Sequence, residues 1–249
     1  MRRENWNRAQ LILAFNLYCR TPFSKIHYSN PQIIALAQLI DRTPSSVSWK
    51  LANFARLDPS LASRNISGAS HGSKQEKVIW DEFEQNWDKL TYESEILRLE
   101  LSGSVADVPD ESFPEGKSRE ASVMLRVNQG FFRSVILAAY NSTCCITGIQ
   151  SSELLCASHI VPWSVDIDNR TNPRNGLCLN ALHDRAFDRG LIAISRDYRV
   201  EISPSIKGCD GVGVRRLLLD YENAPINLPE HFRPNPTFLQ YHYENVFRK

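Results

Sequence analysis

One segment in the second half of this chain constrains the fold more than any other. It contains two apolar runs, 154–160 and 176–179, separated by a polar loop rich in asparagine. Short apolar runs bounded by turn residues predict β-strands, and Asn175-Gly176 is a turn signal directly before the second run. Asn180 is a suitable N-cap for a helix that follows. The segment therefore predicts a strand–loop–strand–helix unit.

Four short motifs in the same region occur in a characteristic order. They read Cys-Cys-Ile-Thr-Gly at 144–148, Ser-His-Ile-Val-Pro-Trp at 158–163, Asn-Gly-Leu at 175–177 and Phe-Asp-Arg-Gly at 187–190. Each motif alone is common, but their joint order and spacing resemble the ββα-metal fold of HNH endonucleases. The resemblance covers about 119–202.

The resemblance implies a chemical role for several residues. His159 would be the general base that activates water, and Asn175 would orient that base and hold the loop. Asp184 and Asp188 would be ligands of a divalent metal ion, Mg²⁺ or Mn²⁺, because an i, i+4 pair shares one helical face. His183 is the alternative ligand to Asp184, although it lies roughly 100° around the helix from it.

The residue before the base departs from the family pattern. Many HNH nucleases carry an Asp or His ligand at that position, where this chain has Ser158. Either the metal is held by the helix, water and the substrate phosphate, or another side chain contributes. Asp166 and Asp168 in the loop are candidates, and solvated surface acids are the alternative interpretation of both.

The N-terminal third is helix-rich by pattern. Two predicted helices, at 33–40 and 45–56, are joined by a polar turn in which Thr43 is a plausible N-cap and Pro44 the first helical residue. This pattern is that of a helix-turn-helix, so we expect it to bind DNA; a helical bundle without DNA contacts is the alternative. The expected DNA-contacting residues are Ser45, Ser46, Ser48, Trp49, Lys50 and Asn53, with Arg126, Arg133 and Arg174 as further contacts in the second domain.

These patterns together predict an α+β protein with two domains. Residues 1–104 form an all-α, helix-turn-helix-like recognition domain with a helical connector. Residues 105–118, which contain Pro109 and Pro114, form a linker. Residues 119–249 form the ββα-metal nuclease domain, around which the Pro-rich, aromatic C-terminal stretch wraps.

Composition sets limits on partners and location. The formal net charge is only +1, so a nucleic-acid partner has to be argued from local features. No apolar run approaches the ~20 residues of a membrane span, and the first residues do not resemble a secretory signal, so we expect a cytoplasmic protein without a membrane partner. The six cysteines form no Cys-x-x-Cys pair and are expected to be buried free thiols.

The two-domain layout resembles modification-dependent restriction enzymes, which fuse a reader domain to an HNH domain. We therefore expect a restriction endonuclease acting on DNA, with modified bases as a further possibility. The alternatives are a DNA-binding regulator with an inactive HNH fold, and a nicking or RNA-directed nuclease. One HNH site cuts one strand, so double-strand cleavage would need a homodimer or two binding events.

Overall fold

A computed structural model describes residues 5–62, 73–103, 119–209 and 211–249, with only the backbone described at 119–123. The chain divides into two compact units, Met1–Val135 and Ile136–Lys249. The described part of the first unit is helical, and the second unit mixes helices with two small sheets, which confirms the α+β fold class. The predicted linker, 105–118, lies outside the described residues, and the predicted domain limits stay predictions.

The first unit is assembled around its first helix. Side chains on every face of that helix are buried, and it contacts the third, fifth and sixth helices. The Phe15 ring lies 4.9 Å from that of Phe54 and 5.4 Å from that of Trp80, so aromatic packing fills the centre. The helices are α1 (Arg8–Cys19), α2 (Pro31–Leu39), α3 (Pro44–Ala55), α4 (Pro59–Ala62), α5 (Lys74–Phe83), α6 (Trp87–Ser102) and the first part of α7 (Arg119–Ala139).

The two predicted helices of the helix-turn-helix pattern are present as α2 and α3. Thr43 caps α3 by accepting a hydrogen bond from the backbone N–H of Ser46, and Asp41 in the turn has a φ of 51°. On α3, Ser45 is exposed, Ser46 and Ser48 are half-buried, and Trp49 is 65% exposed. DNA binding by this helix stays a prediction.

Lys50, which was expected to contact DNA, is buried and not presented to solvent on α3. Its ammonium group forms a buried ion pair with Glu76 of α5, and only 9% of the residue is exposed. The Asn53 amide donates to the same carboxylate at 3.2 Å. Both side chains thus bond to the buried Glu76 carboxylate, which the helical periodicity of α3 does not indicate.

The second unit begins with the end of α7 and continues into two antiparallel hairpins. The pairs β1–β2 and β3–β4 form separate two-stranded sheets, and β1 and β2 lie where strands were predicted. The elements are β1 (Leu155–His159), β2 (Gly176–Asn180), α8 (Ala181–Asp188), β3 (Ile192–Ile194), β4 (Val200–Ile202), α9 (Pro204–Lys207), α10 (Val212–Leu217) and α11 (Pro236–Asn245).

Helix α11 was not predicted from the sequence, and it packs where α8 ends. The His242 ring stacks on the Phe187 ring with centroids 3.6 Å apart, and its Nε2 donates to the Phe187 carbonyl oxygen at 3.1 Å. Gly190 has a φ of +66°, and a Cβ built there would lie 2.0 Å from the carbonyl oxygen of Val246. This approach of the two segments therefore requires glycine.

The cysteines and the helix lengths bear on two further expectations. All six cysteines are free, as predicted, but Cys209 is exposed and Cys156 is half-buried, so the expectation of burial is wrong for these two. In the described ranges, no helix combines the length and the apolar character that crossing a bilayer requires.

Candidate active site

The β1–β2 hairpin fixes the position of His159. The strands pair antiparallel with His159 opposite Gly176 and Ser158 opposite Leu177. Successive side chains on a strand point to opposite faces, so Ser158 faces away from the His159 ring. Ser158 is 2% exposed, and among the described residues its hydroxyl has no hydrogen-bond partner. The residue before the histidine is therefore a buried strand position.

The His159 ring is held on two sides. Its Nε2 lies 2.8 Å from the carbonyl oxygen of Arg170, and its plane meets the Trp163 ring edge-on at a centroid distance of 5.2 Å. A carbonyl oxygen only accepts, so the neutral ring carries its proton on Nε2 and its basic lone pair on Nδ1. Burial lowers the pKa of His159, while the Arg170 carbonyl and the Asp184 charge oppose that shift. The ring is thus neutral near pH 7.

Arg170 is itself fixed by the residue against which the histidine packs. Its Nε donates to the Trp163 carbonyl oxygen at 2.8 Å, and its guanidinium lies 5.2 Å from the centre of the Trp163 ring. The loop therefore closes on itself between these two residues. This contact was not predictable from the sequence, since the two residues are seven positions apart in irregular structure.

Asn175 holds the loop between β1 and β2 in place. It is fully buried; its Oδ1 accepts from the Val161 N–H at 2.8 Å, and its Nδ2 lies 3.2 Å from the carbonyl oxygens of Val161 and Asn169. Its own carbonyl accepts from the Ile160 N–H at 2.9 Å. Asn175 thus bonds to the backbone on both sides of the histidine loop, which is consistent with the loop-holding role expected for it.

A chain of side-chain hydrogen bonds extends from Asn175 along the loop. Asn169, whose carbonyl accepts from Asn175, donates through Nδ2 to the Asp166 carboxylate at 2.8 Å. Its Oδ1 accepts from Asn172 Nδ2 at 2.7 Å. The Asp166 carboxylate is therefore engaged within the loop, whereas Asp168 is exposed. The regular three-residue spacing of Asp and Asn from Asp166 to Asn175 is the one signal in the sequence that indicates this network.

Asn180 connects the hairpin to α8. Its Oδ1 accepts from the backbone N–H groups of Leu182 and His183, as predicted for an N-cap, and its own backbone N–H donates to the Cys144 sulfur at 3.3 Å. The helix therefore starts at a defined residue directly after β2. This start determines the direction of each side chain on α8.

Asp184 and Asp188 lie one helical turn apart on α8. Partial burial and the charge of Asp184 raise the pKa of Asp188, while Arg185 and Arg189 oppose the shift. Asp184 also raises the pKa of His159, so its carboxylate lies near both groups. The charge of Asp184 thus acts on both His159 and Asp188.

His183 faces a different part of the domain. It is 1% exposed, its Nδ1 accepts from Asn180 Nδ2 at 2.8 Å, and its ring meets that of Tyr221 edge-on at 5.5 Å. Burial lowers its pKa. These contacts direct His183 into the core and favour Asp184 over His183 as a metal ligand.

The donor set of α8 fits a hard divalent cation. Two carboxylates on one face supply oxygen ligands, which Mg²⁺ and Mn²⁺ prefer. Across the described residues, no group of three or more His, Cys, Asp or Glu side chains has the geometry to hold a metal ion. The remaining coordination positions would therefore belong to water and to phosphate oxygens of the substrate.

The three arginines expected to contact DNA occupy different places. Arg126 and Arg133 are exposed on α7, seven residues apart along the helix. Arg174 is half-buried beside Asn175, and its carbonyl accepts from the N–H of Asn235, the N-cap of α11. Contact of these residues with DNA stays a prediction.

Comparison with known proteins agrees with this geometry. Residues 144–195 match the family model described as HNH endonuclease. No curated protein matches the chain. The matched segment contains the hairpin, its loop, Asn180 and α8, so the match supports an HNH endonuclease domain in this part of the chain. That family implies a nuclease with a nucleic-acid substrate, and HNH nucleases generally use a divalent metal ion.

Proposed function

We propose that this protein is a metal-dependent DNA endonuclease in which His159 is the general base. The observation that carries the proposal is the Nε2–H bond of His159 to the Arg170 carbonyl, close to the Asp184 carboxylate. With the proton of the neutral ring on Nε2, the basic lone pair is on Nδ1, the atom that would accept a proton.

The reaction follows from these groups. Nδ1 of His159 takes a proton from water as the water oxygen bonds to phosphorus and the bond from phosphorus to the leaving oxygen breaks. The leaving oxygen then gains a proton from water. A divalent ion bound by Asp184 and Asp188 would stabilise the charge that builds on the phosphate. Asn175 keeps the histidine loop in place throughout.

The test compares His159→Ala with His27→Ala, a substitution of an exposed histidine in the first unit. Supercoiled plasmid is incubated with each protein in Mg²⁺, in Mn²⁺ and in EDTA. We expect metal-dependent cleavage by the wild type and by His27→Ala, and a rate lower by on the order of 100-fold or more for His159→Ala. Cleavage by His159→Ala at the wild-type rate would show that His159 is not the base.

The same variants distinguish the nuclease from a DNA-binding regulator. A regulator with an inactive HNH fold would bind DNA in a gel-shift assay and cut nothing in any metal. A single-stranded RNA of matched sequence, added in parallel, distinguishes an RNA-directed enzyme. Accumulation of nicked circles without linear product would identify a nicking enzyme.

We further propose a restriction role on DNA with modified bases, with the first unit as the reader. The support is the helix-turn-helix-like pair α2–α3 together with the exposed Trp49. This proposal rests on an analogy in domain layout and not on the geometry of a site. Plasmids with methylated, hydroxymethylated and unmodified cytosine, cut in parallel, test the proposal. Equal cleavage of all three would exclude dependence on modification, and linear product whose rate rises with the square of protein concentration would support a homodimer.

A further inference from the structure

Two arginines lie close together in the first unit. Arg20 is the C-cap residue of α1, and Arg98 lies in α6. Arg20 is half-buried, and its Nε has one hydrogen bond, to the Asn16 carbonyl oxygen at 3.4 Å. Burial and the charge of Arg98 lower the pKa of Arg20. Two like charges are thus held near each other in a partly desolvated place, which costs free energy unless a counter-charge is present.

The same two arginines line two adjoining clefts. One has a volume of about 280 Å³ and lies between α1, α6 and α7, and the other has about 240 Å³ and lies between α1, α2 and α6. Asn16, Arg20 and Arg98 line both. The wall of the larger cleft includes Ser94, whose hydroxyl is fixed by Asn16 Nδ2 at 2.9 Å. All these residues lie within the first unit.

Positive charge exceeds negative charge in these clefts. Within the described residues, no carboxylate forms an ion pair with Arg20 or Arg98, and Glu95, whose charge acts on Arg20, is the one acid that lines either cleft. Arg8 in the same unit is different, because it bonds to Glu82 at 2.6 Å and to Glu93 at 2.7 Å. Arg8 is thus paired with two acids, whereas Arg20 and Arg98 have one nearby acid between them and no ion pair.

The geometry points to a binding site for a phosphate group between Arg20 and Arg98. A guanidinium presents parallel N–H donors that match the oxygens of a phosphate, and two such groups compensate its charge. The neutral Asn16–Ser94 pair adds polar surface without adding charge. The phosphate could be inorganic, part of a nucleotide or the 5′ end of a nucleic-acid strand. The site is independent of the proposed cleavage chemistry, because it contains no residue of the HNH segment.

Binding is tested by calorimetry on the full chain in a phosphate-free buffer. The probes are inorganic phosphate, deoxyadenosine monophosphate, and one oligonucleotide with either a 5′-phosphate or a 5′-hydroxyl end. The variants are Arg20→Gln, Arg98→Gln and the control Arg56→Gln, which removes an exposed arginine that lines neither cleft. Arg98 is exposed, so its substitution tests the site even if Arg20→Gln fails to fold.

We expect at least one probe to bind the wild type and the control equally, and to bind each cleft variant about 10-fold or more weakly. Binding of the small probes identifies a free phosphate or nucleotide ligand, and preference for the 5′-phosphorylated strand alone identifies a nucleic-acid end. Absence of binding by every probe, or equal binding by all variants, would overturn the inference. Plasmid cleavage by Arg98→Gln reports separately on the nuclease, since the inference can fail while cleavage persists.

Discussion

At the scale of single residues, the charge of Asp184 acts on both Asp188 and His159. Burial and that charge raise the pKa of Asp188, and the same charge opposes the lowering of the His159 pKa by burial, because adjacent negative charge favours the protonated form. A bound cation would remove this repulsion. A cation held by both carboxylates would therefore be favoured electrostatically.

Asp184→Asn tests this coupling directly. The neutral amide should lower the pKa of Asp188, measured by NMR titration without metal, because the repelling charge is gone. It should also raise the Mg²⁺ concentration for half-maximal cleavage by about 10-fold or more. Loss of a residue that only supports a metal ligand already lowers metal affinity by about that factor. Asp197→Asn, in the exposed turn between β3 and β4, serves as the control. An unchanged metal requirement in Asp184→Asn would exclude Asp184 as a ligand.

Residue-level prediction from the sequence succeeded where a side chain acts within one element. Asn180 as a cap and the shared face of Asp184 and Asp188 follow from helical geometry alone. The burial of Lys50 was not predicted, because its partner, Glu76, is 26 residues away and belongs to another helix. A period within α3 contains no information about a buried charge on α5.

At the scale of elements, the junction between α8 and α11 is tightly specified. Gly190 combines a left-handed φ with a close approach to Val246, whereas Gly148 has a similar φ of +75° and open space around its Cβ position. Substitutions at the two glycines therefore distinguish the cost of backbone strain from the cost of steric overlap.

We expect Gly190→Ala to lower the free energy of unfolding by about 3 kcal/mol or more, from strain plus overlap. Gly148→Ala should lower it by about 1 kcal/mol, from strain alone. Urea denaturation followed by circular dichroism measures both. Equal losses in the two variants would mean that the chain near Val246 moves aside at little cost.

The stacked His242 makes the same junction sensitive to pH. Burial lowers the pKa of His242 from its ordinary 6.5 to about 4, so the unfolded chain takes up the proton first. The contribution of neutral His242 is complete above pH 6.5 and is lost progressively as the pH falls towards 4. The loss amounts to about 3 kcal/mol.

The measurement is the free energy of unfolding of wild type and of His242→Gln between pH 7.5 and 4. We expect the wild type to lose stability relative to the variant over that window, because glutamine does not titrate. His27→Gln controls for the substitution itself. A constant difference between wild type and His242→Gln at every pH would contradict the low pKa.

At the scale of the whole molecule, the order of elements was predictable and the C-terminal helix was not. The strands of the hairpins are short, apolar and bounded by turn residues, which single-sequence patterns detect. Helix α11 contains three aromatic side chains and a buried histidine in ten residues, so its apolar face does not repeat clearly. Its position depends on stacking against Phe187, a contact 55 residues away in sequence.

A fragment of residues 119–249 tests the predicted domain limits. It retains all of α7 and the entire second unit. We expect it to unfold cooperatively in a calorimeter and to keep metal-dependent cleavage, with weaker DNA affinity if the first unit is the reader. Failure of the fragment to fold, with the full chain stable, would show that the predicted limits do not define a domain.

The bond from His159 to the Arg170 carbonyl also has a consequence for repeated turnover. A carboxylate behind a catalytic imidazole stabilises the imidazolium, whereas a carbonyl orients the ring with a dipole and no net charge. With His159 as the proposed base, burial and the absence of a carboxylate on its Nε2 would make the imidazolium a comparatively strong acid, which returns its proton to bulk solvent quickly. The enzyme would thus restore its own base between cuts without needing a second titrating group to carry the proton away.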